Sequence, residues 1–144
     1  MLPEEKSEFR ERKRLEQLAR KLDRDVDAIV VEGYSDRRIM RKLGYSGKIF
    51  QSAEREIDDL REDVSRGSRR VAVLTDFDEH GKKQNREISR ALEKEVDVIR
   101  ASRKEFGTQL TSKGRQAVED IAPLFEDKNK KFRDATLDRL FFRS

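Results

Sequence analysis

Four short apolar runs set apart by stretches of helical spacing constrain this chain most: residues 28–31 (Ala-Ile-Val-Val), 48–50 (Lys-Ile-Phe), 71–74 (Val-Ala-Val-Leu) and 96–99 (Val-Asp-Val-Ile). Each is too short for a helix and is bounded by turn residues, the pattern of strands in a sheet covered on both faces. Only 34% of the residues are hydrophobic and 44% are charged, a ratio that leaves an evenly mixed chain disordered. Gathering the apolar residues into these runs gives a small α/β core under a charged skin instead. At 144 residues one domain is expected. The order βαβαβαβ implies a parallel sheet with right-handed crossovers.

Helical periodicity fills the gaps. Leu15, Leu18, Ala19 and Leu22 share one face of a helix over 4–24, and Ile39, Met40 and Leu43 one over 36–43, stopped by Gly44. Ser52 is read as the N-cap of a helix through Val64, with Ile57, Leu60 and Val64 inward. A helix from Gly81 presents Ile88, Ala91 and Leu92 to the core. A last helix is expected over 112–125 through Ala117, Val118 and Ile121, ended or bent at Pro123. This divides the chain into an N-terminal amphipathic helix (1–26), an α/β core (27–105) and a helical, basic-aromatic extension (106–144).

Two of the strands run out into acid: Val31-Glu32-Gly33-Tyr34-Ser35-Asp36 and Asp76-Phe77-Asp78-Glu79-His80-Gly81. Sites in parallel sheets gather at the carboxyl ends of the strands, so Glu32, Asp76 and Asp78 share an address. Three converging carboxylates repel unless a cation sits between them. Alternation along a strand sends Asp76 and Asp78 to one side and Phe77 to the other, suiting a grip on one hard cation. Mg²⁺ takes few protein oxygens and completes its shell with water and phosphate. Gly33 and Gly81 stand where the chain must turn and let a ligand approach. Helix N-termini beyond both motifs favour phosphate. Three solvated carboxylates at loop starts are the plain alternative, and Asp36 also reads as a simple helix cap.

At these residues the chain resembles the Toprim superfamily of primases, topoisomerases and the nuclease that matures small ribosomal RNA. That family's pattern is a strand ending in Glu-Gly, a nearby Asp, then a strand ending in Asp-x-Asp with a following Gly. The first motif is primase-like in wording, and the short chain with Leu74-Thr75-Asp76-Phe77-Asp78 is more similar to small stand-alone Toprim proteins of archaea. The resemblance covers residues 27–105. It implies a Rossmann-like α/β domain with a four-stranded parallel sheet flanked by helices. It also implies Glu32 in acid–base chemistry or sharing the metal, Asp76 and Asp78 as ligands of Mg²⁺ (or Mn²⁺), and Asp36 as an acidic neighbour of less settled role, a further metal ligand being one option. A primase's zinc-binding segment and a topoisomerase's tyrosine domain have no counterpart here.

Arg37, Arg38, Lys82, Lys83 and Arg86 begin the helices behind the motifs, where cations oppose the helix dipole; contact with phosphate explains them better than solvation alone. A net charge of +4 and a pI near 9.4 also favour an anionic partner. The resulting expectation is Mg²⁺-dependent phosphoryl transfer on nucleic acid, RNA favoured over DNA, most simply ribonuclease-like hydrolysis. A non-catalytic nucleic-acid-binding module of a larger complex is the alternative, and an adaptor that has lost its chemistry a third reading. His80 reads as exposed and Tyr34 as packing at the rim. The run 10–14 reads as an ordinary charged helix surface, while Phe132, Phe141 and Phe142 among basic residues either stack bases, dock a protein partner or close the core. The absence of cysteine excludes disulfides, iron–sulfur clusters and thiolate zinc, and one histidine excludes a His-rich centre. No segment has membrane-spanning length and the polar start is no signal peptide, so a cytoplasmic protein without membrane contact is expected.

Overall fold

The computed structural model describes residues 2–126. Among them α1 (Pro3–Asp25) is followed by β1 (Ala28–Val31), α2 (Tyr34–Lys42), β2 (Lys48–Gln51), α3 (Ile57–Ser65) and β3 (Arg70–Val73). Then come α4 (Glu79–Leu92), β4 (Asp97–Val98), α5 (Arg100–Ser112) and a 3-10 helix (Val118–Phe125). The strands pair in parallel in the order β2-β1-β3-β4, so this is an α/β fold with a four-stranded parallel sheet flanked by helices.

Side-chain alternation on the two central strands makes the layers. Ile29 and Val31 of β1 and Ala72 of β3 face a core built with α1, α2, α5 and the 3-10 helix. Ala28, Val30, Val71 and Val73 face the opposite core, filled by Leu60 and Val64 of α3 and Ile88 and Leu92 of α4. All seven strand residues are buried, which is why the runs read as continuously apolar rather than alternating. Burying a side chain such as Leu15, Ile29 or Leu110 contributes about 1.5–3 kcal/mol. None of the described helices is long and apolar enough to cross a membrane.

Several expectations are corrected. The third strand, expected to run out into Asp76-Phe77-Asp78, ends at Val73, so these three residues are the loop into α4 rather than strand. Ser52 does not cap α3. The Ser52 and Ala53 amides donate to the Val31 and Glu32 carbonyls, prolonging the pairing beside β1, and α3 begins only after Glu56. Ile57 consequently sits 37% exposed at its first position. Residue 112 ends a helix rather than starting one, and α5 runs through residue 105. The segment 118–125 is a 3-10 helix with Pro123 inside it. Its buried residues Val118, Ile121 and Leu124 recur every three positions, the 3-10 period. The basic-aromatic run expected over 128–144 lies outside the described residues.

Candidate functional site

The order β2-β1-β3-β4 sends α2, which follows β1, and α4, which follows β3, to opposite faces of the sheet. The gap between the carboxyl ends of β1 and β3 is therefore a topological switch point, where open α/β sheets bind their ligands. Glu32 leaves β1 there and Asp76 leaves β3 there, both half-buried. The register places Val30 beside Val73, so the two acidic segments emerge from neighbouring strands as expected.

Asp76 is the electrostatic centre. Its carboxyl is pushed up to about 7 by burial first, then by the Glu32 and Asp36 charges, by side-chain hydrogen bonding with Glu32, and by Asp78. Asp78 is the N-cap of α4, its Oδ1 accepting from the Gly81 amide at 2.7 Å, which leaves Oδ2 for other partners. Gly81 is sterically required: a Cβ there would stand 2.0 Å from the Asp76 carbonyl oxygen. At Gly33 the opposite holds. Its backbone is extended and no protein atom lies within 4 Å of where a Cβ would be, so neither a sharp turn nor packing demands glycine.

Asp36 is 5% exposed and fully engaged with backbone. Oδ2 accepts from Gly33 N at 3.1 Å, closing the N-terminus of α2, and Oδ1 accepts from Glu119 N at 2.9 Å, tying on the 3-10 helix. Burial raises its pKa while those two amides oppose the rise. Glu119, exposed nearby, is raised chiefly by the Asp36 charge. The cap reading of Asp36 thus describes its bonds, and its second bond, to a residue 83 positions away, had no local signal.

Arg103, which sequence reasoning missed, is the buried cation behind this centre. Its guanidinium donates to the carbonyls of Val73 (3.0 Å), Thr75 (2.7 Å) and Asp76 (2.9 Å), and lies 4.2 Å from the centre of the Phe77 ring. Burial lowers its pKa to about 10, with the Asp76 charge opposing the shift. It grips the backbone of the acidic loop and makes no salt bridge to a carboxylate among the described residues. Phe77 packs into the α5 side of the core against Gly107, with its amide donating to Gln116 O at 2.6 Å.

Arg37, Arg38, Lys82, Lys83 and Arg86 are all exposed on the early turns of α2 and α4. Lys82 lies 3.7 Å from Glu79, a weak exposed pair. His80 is exposed as expected. Tyr34 is 65% exposed rather than packed, with Arg38 beside its ring. In the run 10–14, Arg12 and Lys13 pair with Glu16 and Arg14 with Glu105 on the helix surface, whereas Glu11 is buried and pairs with Arg115, so the run is not surface throughout. Among the described residues no three His, Cys, Asp or Glu side chains are grouped closely enough, as they stand, to hold a metal ion.

Two archaeal proteins described as UPF0292 proteins are similar to this chain. One, from Pyrococcus furiosus, is 29% identical over 132 residues, 92% of this chain and 95% of its own. The other, from Thermococcus onnurineus, is 31% identical over 114 residues, 78% of this chain and 84% of its own. A solved structure of an Aquifex aeolicus protein superposes with a TM-score of 0.61 at 19% identity, over 75% of this chain and 95% of that one, and shows the shared fold. No family model matches the chain.

Proposed function

The chain belongs to the UPF0292 family, and from the centre its fold assembles we propose that it is a Mg²⁺-dependent phosphoryl-transfer protein acting on nucleic acid, most simply by hydrolysing RNA. The observation that carries this reading is Asp76, its proton held up to about 7 by burial and by the carboxylates gathered around it. The Toprim-like motifs point the same way, and a cytoplasmic setting accompanies the reading. RNA is favoured over DNA, with a protein partner reached through the segment 106–144.

The donors suit a hard cation. Glu32 and Asp76 would hold Mg²⁺ (or Mn²⁺), joined by the free Oδ2 of Asp78, all oxygen ligands. Asp36 has both oxygens committed to amides and serves as support. The open space over Gly33 admits a phosphate beside Glu32. When bound, the metal supplies charge neutralisation at the phosphoryl oxygens. Glu32 takes the proton from the attacking water as its oxygen bonds to phosphorus. The ester P–O bond breaks, and the leaving oxygen takes a proton from solvent. Arg103 keeps the backbone of 73–76 in place through the reaction, and Arg37, Arg38, Lys82, Lys83 and Arg86 hold flanking phosphates.

One observation favours a second reading, a non-catalytic module that docks nucleic acid: Asp78 spends half its carboxylate capping α4. Incubating the protein with structured RNA, single-stranded DNA and duplex DNA, with Mg²⁺ or chelator, decides between them. The expected result is Mg²⁺-dependent RNA products that disappear with Glu32→Gln. Retarded bands without products in every arm would establish the docking module instead.

A further inference from the structure

Phe77 separates the acidic centre from a groove of opposite character. Between α4 and α5 lies an open groove of about 340 Å³, lined by Phe77, Lys82, Asn85, Arg100, Lys104 and their neighbours. Four cations line it once Arg103 is counted, and no aspartate or glutamate does, in a chain that carries 30 acids. Two of those charges are partly offset from outside, Lys82 by Glu79 and Arg100 by Glu93 at 2.6 Å. Lys104 is exposed and has no ion-pair partner among the described residues. Asn85 Oδ1 accepts from Ser89, leaving its amide N–H groups to donate. Gly107 lets the Phe77 ring lie tight against α5, since a Cβ there would stand 2.5 Å from it.

An apolar floor, a cationic rim and a volume of small-ligand size together select an anion that also carries a flat apolar face. The geometry points to this groove as the binding place for a phosphate-bearing nucleotide unit, its phosphate on Lys104, Arg100 and Lys82 and its base over the apolar floor, to which the largely buried Phe77 contributes an edge. The unit is either a free mononucleotide or the residue of a strand one step from the phosphodiester at the acidic centre. In the second case the inference rests on the proposed function, because Asp76 and Asp78 flank Phe77 in the chain and a strand crossing this loop meets both surfaces.

The test uses the full chain in chelator, which takes the metal centre out of the measurement. Anisotropy of a fluorescein-labelled single-stranded RNA decamer should show Lys104→Glu binding about tenfold more weakly than the parent. Its salt dependence should flatten by about 0.7 in log–log slope, because one phosphate is no longer neutralised. Lys94→Glu, an exposed charge in the turn after α4, should change affinity less than twofold. Titration with AMP, followed by amide shifts at Phe77 and Gly107, separates the sources: shifts with AMP identify a free nucleotide, and shifts with the decamer alone identify a strand. Equal affinity for the decamer in Lys104→Glu and the parent, with no shift at either amide, overturns the groove. That failure is distinct from failure of the metal centre, which is read from Mg²⁺-dependent cleavage in Glu32→Gln.

Discussion

Asp76 connects charge to stability in a direction opposite to most aspartates. An aspartate in an unfolded chain titrates near 3.9, and this one is pushed up to about 7 in the fold. The native state therefore binds more protons than the unfolded state between about pH 4 and 7, and stability falls as pH rises through that window. Above it, the ionised carboxylate among Glu32, Asp36 and Asp78 is a standing cost to the metal-free fold. Asp76→Asn should consequently be more stable than the parent at pH 8, by about 1–2 kcal/mol once solvent screening of a half-exposed group is allowed for. The gain should vanish near pH 4. Urea unfolding in chelator at both pH values checks it, and a parent equally stable at the two, with no gain from the substitution, would remove the electrostatic account. Glu32, Asp76 and Asp78 were legible in the sequence because strand ends of a parallel sheet are recognisable from apolar runs alone. Arg103 was not, since a basic residue among Arg100, Lys104 and Glu105 carries no mark of burial.

At the scale of the element, what hid α5 is its composition. Its buried face is Ser102, Arg103, Phe106, Gly107 and Leu110, with two large apolar residues in thirteen, so no amphipathic stripe announces it. Its neighbours α1 and α2 were readable because Leu and Ile recur at helical offsets. The start of α3 was misplaced because a capping residue type competes with other uses of the same backbone, and the amides of Ser52 and Ala53 belong to the sheet edge. Asp36 joins two elements whose relation no local pattern encodes, α2 and the 3-10 helix. Each of its oxygens serves a different N–H, so a single-acceptor replacement satisfies one at most. Asp36→Ala should cost about 1–3 kcal/mol from removing two caps, and Asp36→Asn about half of that. Thermal unfolding of the three proteins at one pH checks the order, and an asparagine variant as stable as the parent would show that one cap is dispensable.

For the whole molecule, the chain's modest net charge of +4 conceals a division of labour. Glu32, Asp36 and Asp78 act on Asp76 at the switch point between β1 and β3, while the groove across Phe77 is lined by cations alone among its ionisable groups. Topology produces this, since α4 and α5 lie on opposite faces of the sheet and the loop after β3 touches both. The strand order has a further consequence, in time rather than in space. β1 and β3 are the interior strands, each paired on both sides, whereas β4 is two residues long and β2 has one neighbour. Local openings begin where pairing and burial are least, so the sheet loosens from its edges inward. Amides of Ile29, Val30 and Ala72 should exchange with deuterium only through global unfolding, and those of Ile49 and Val98 orders of magnitude sooner. Exchange followed by mass spectrometry at neutral pH checks it, and equal protection across the four strands would contradict it. Glu32 and Asp76 hang from the last strands to open, so the centre keeps its shape through the fluctuations in which the protein spends its life.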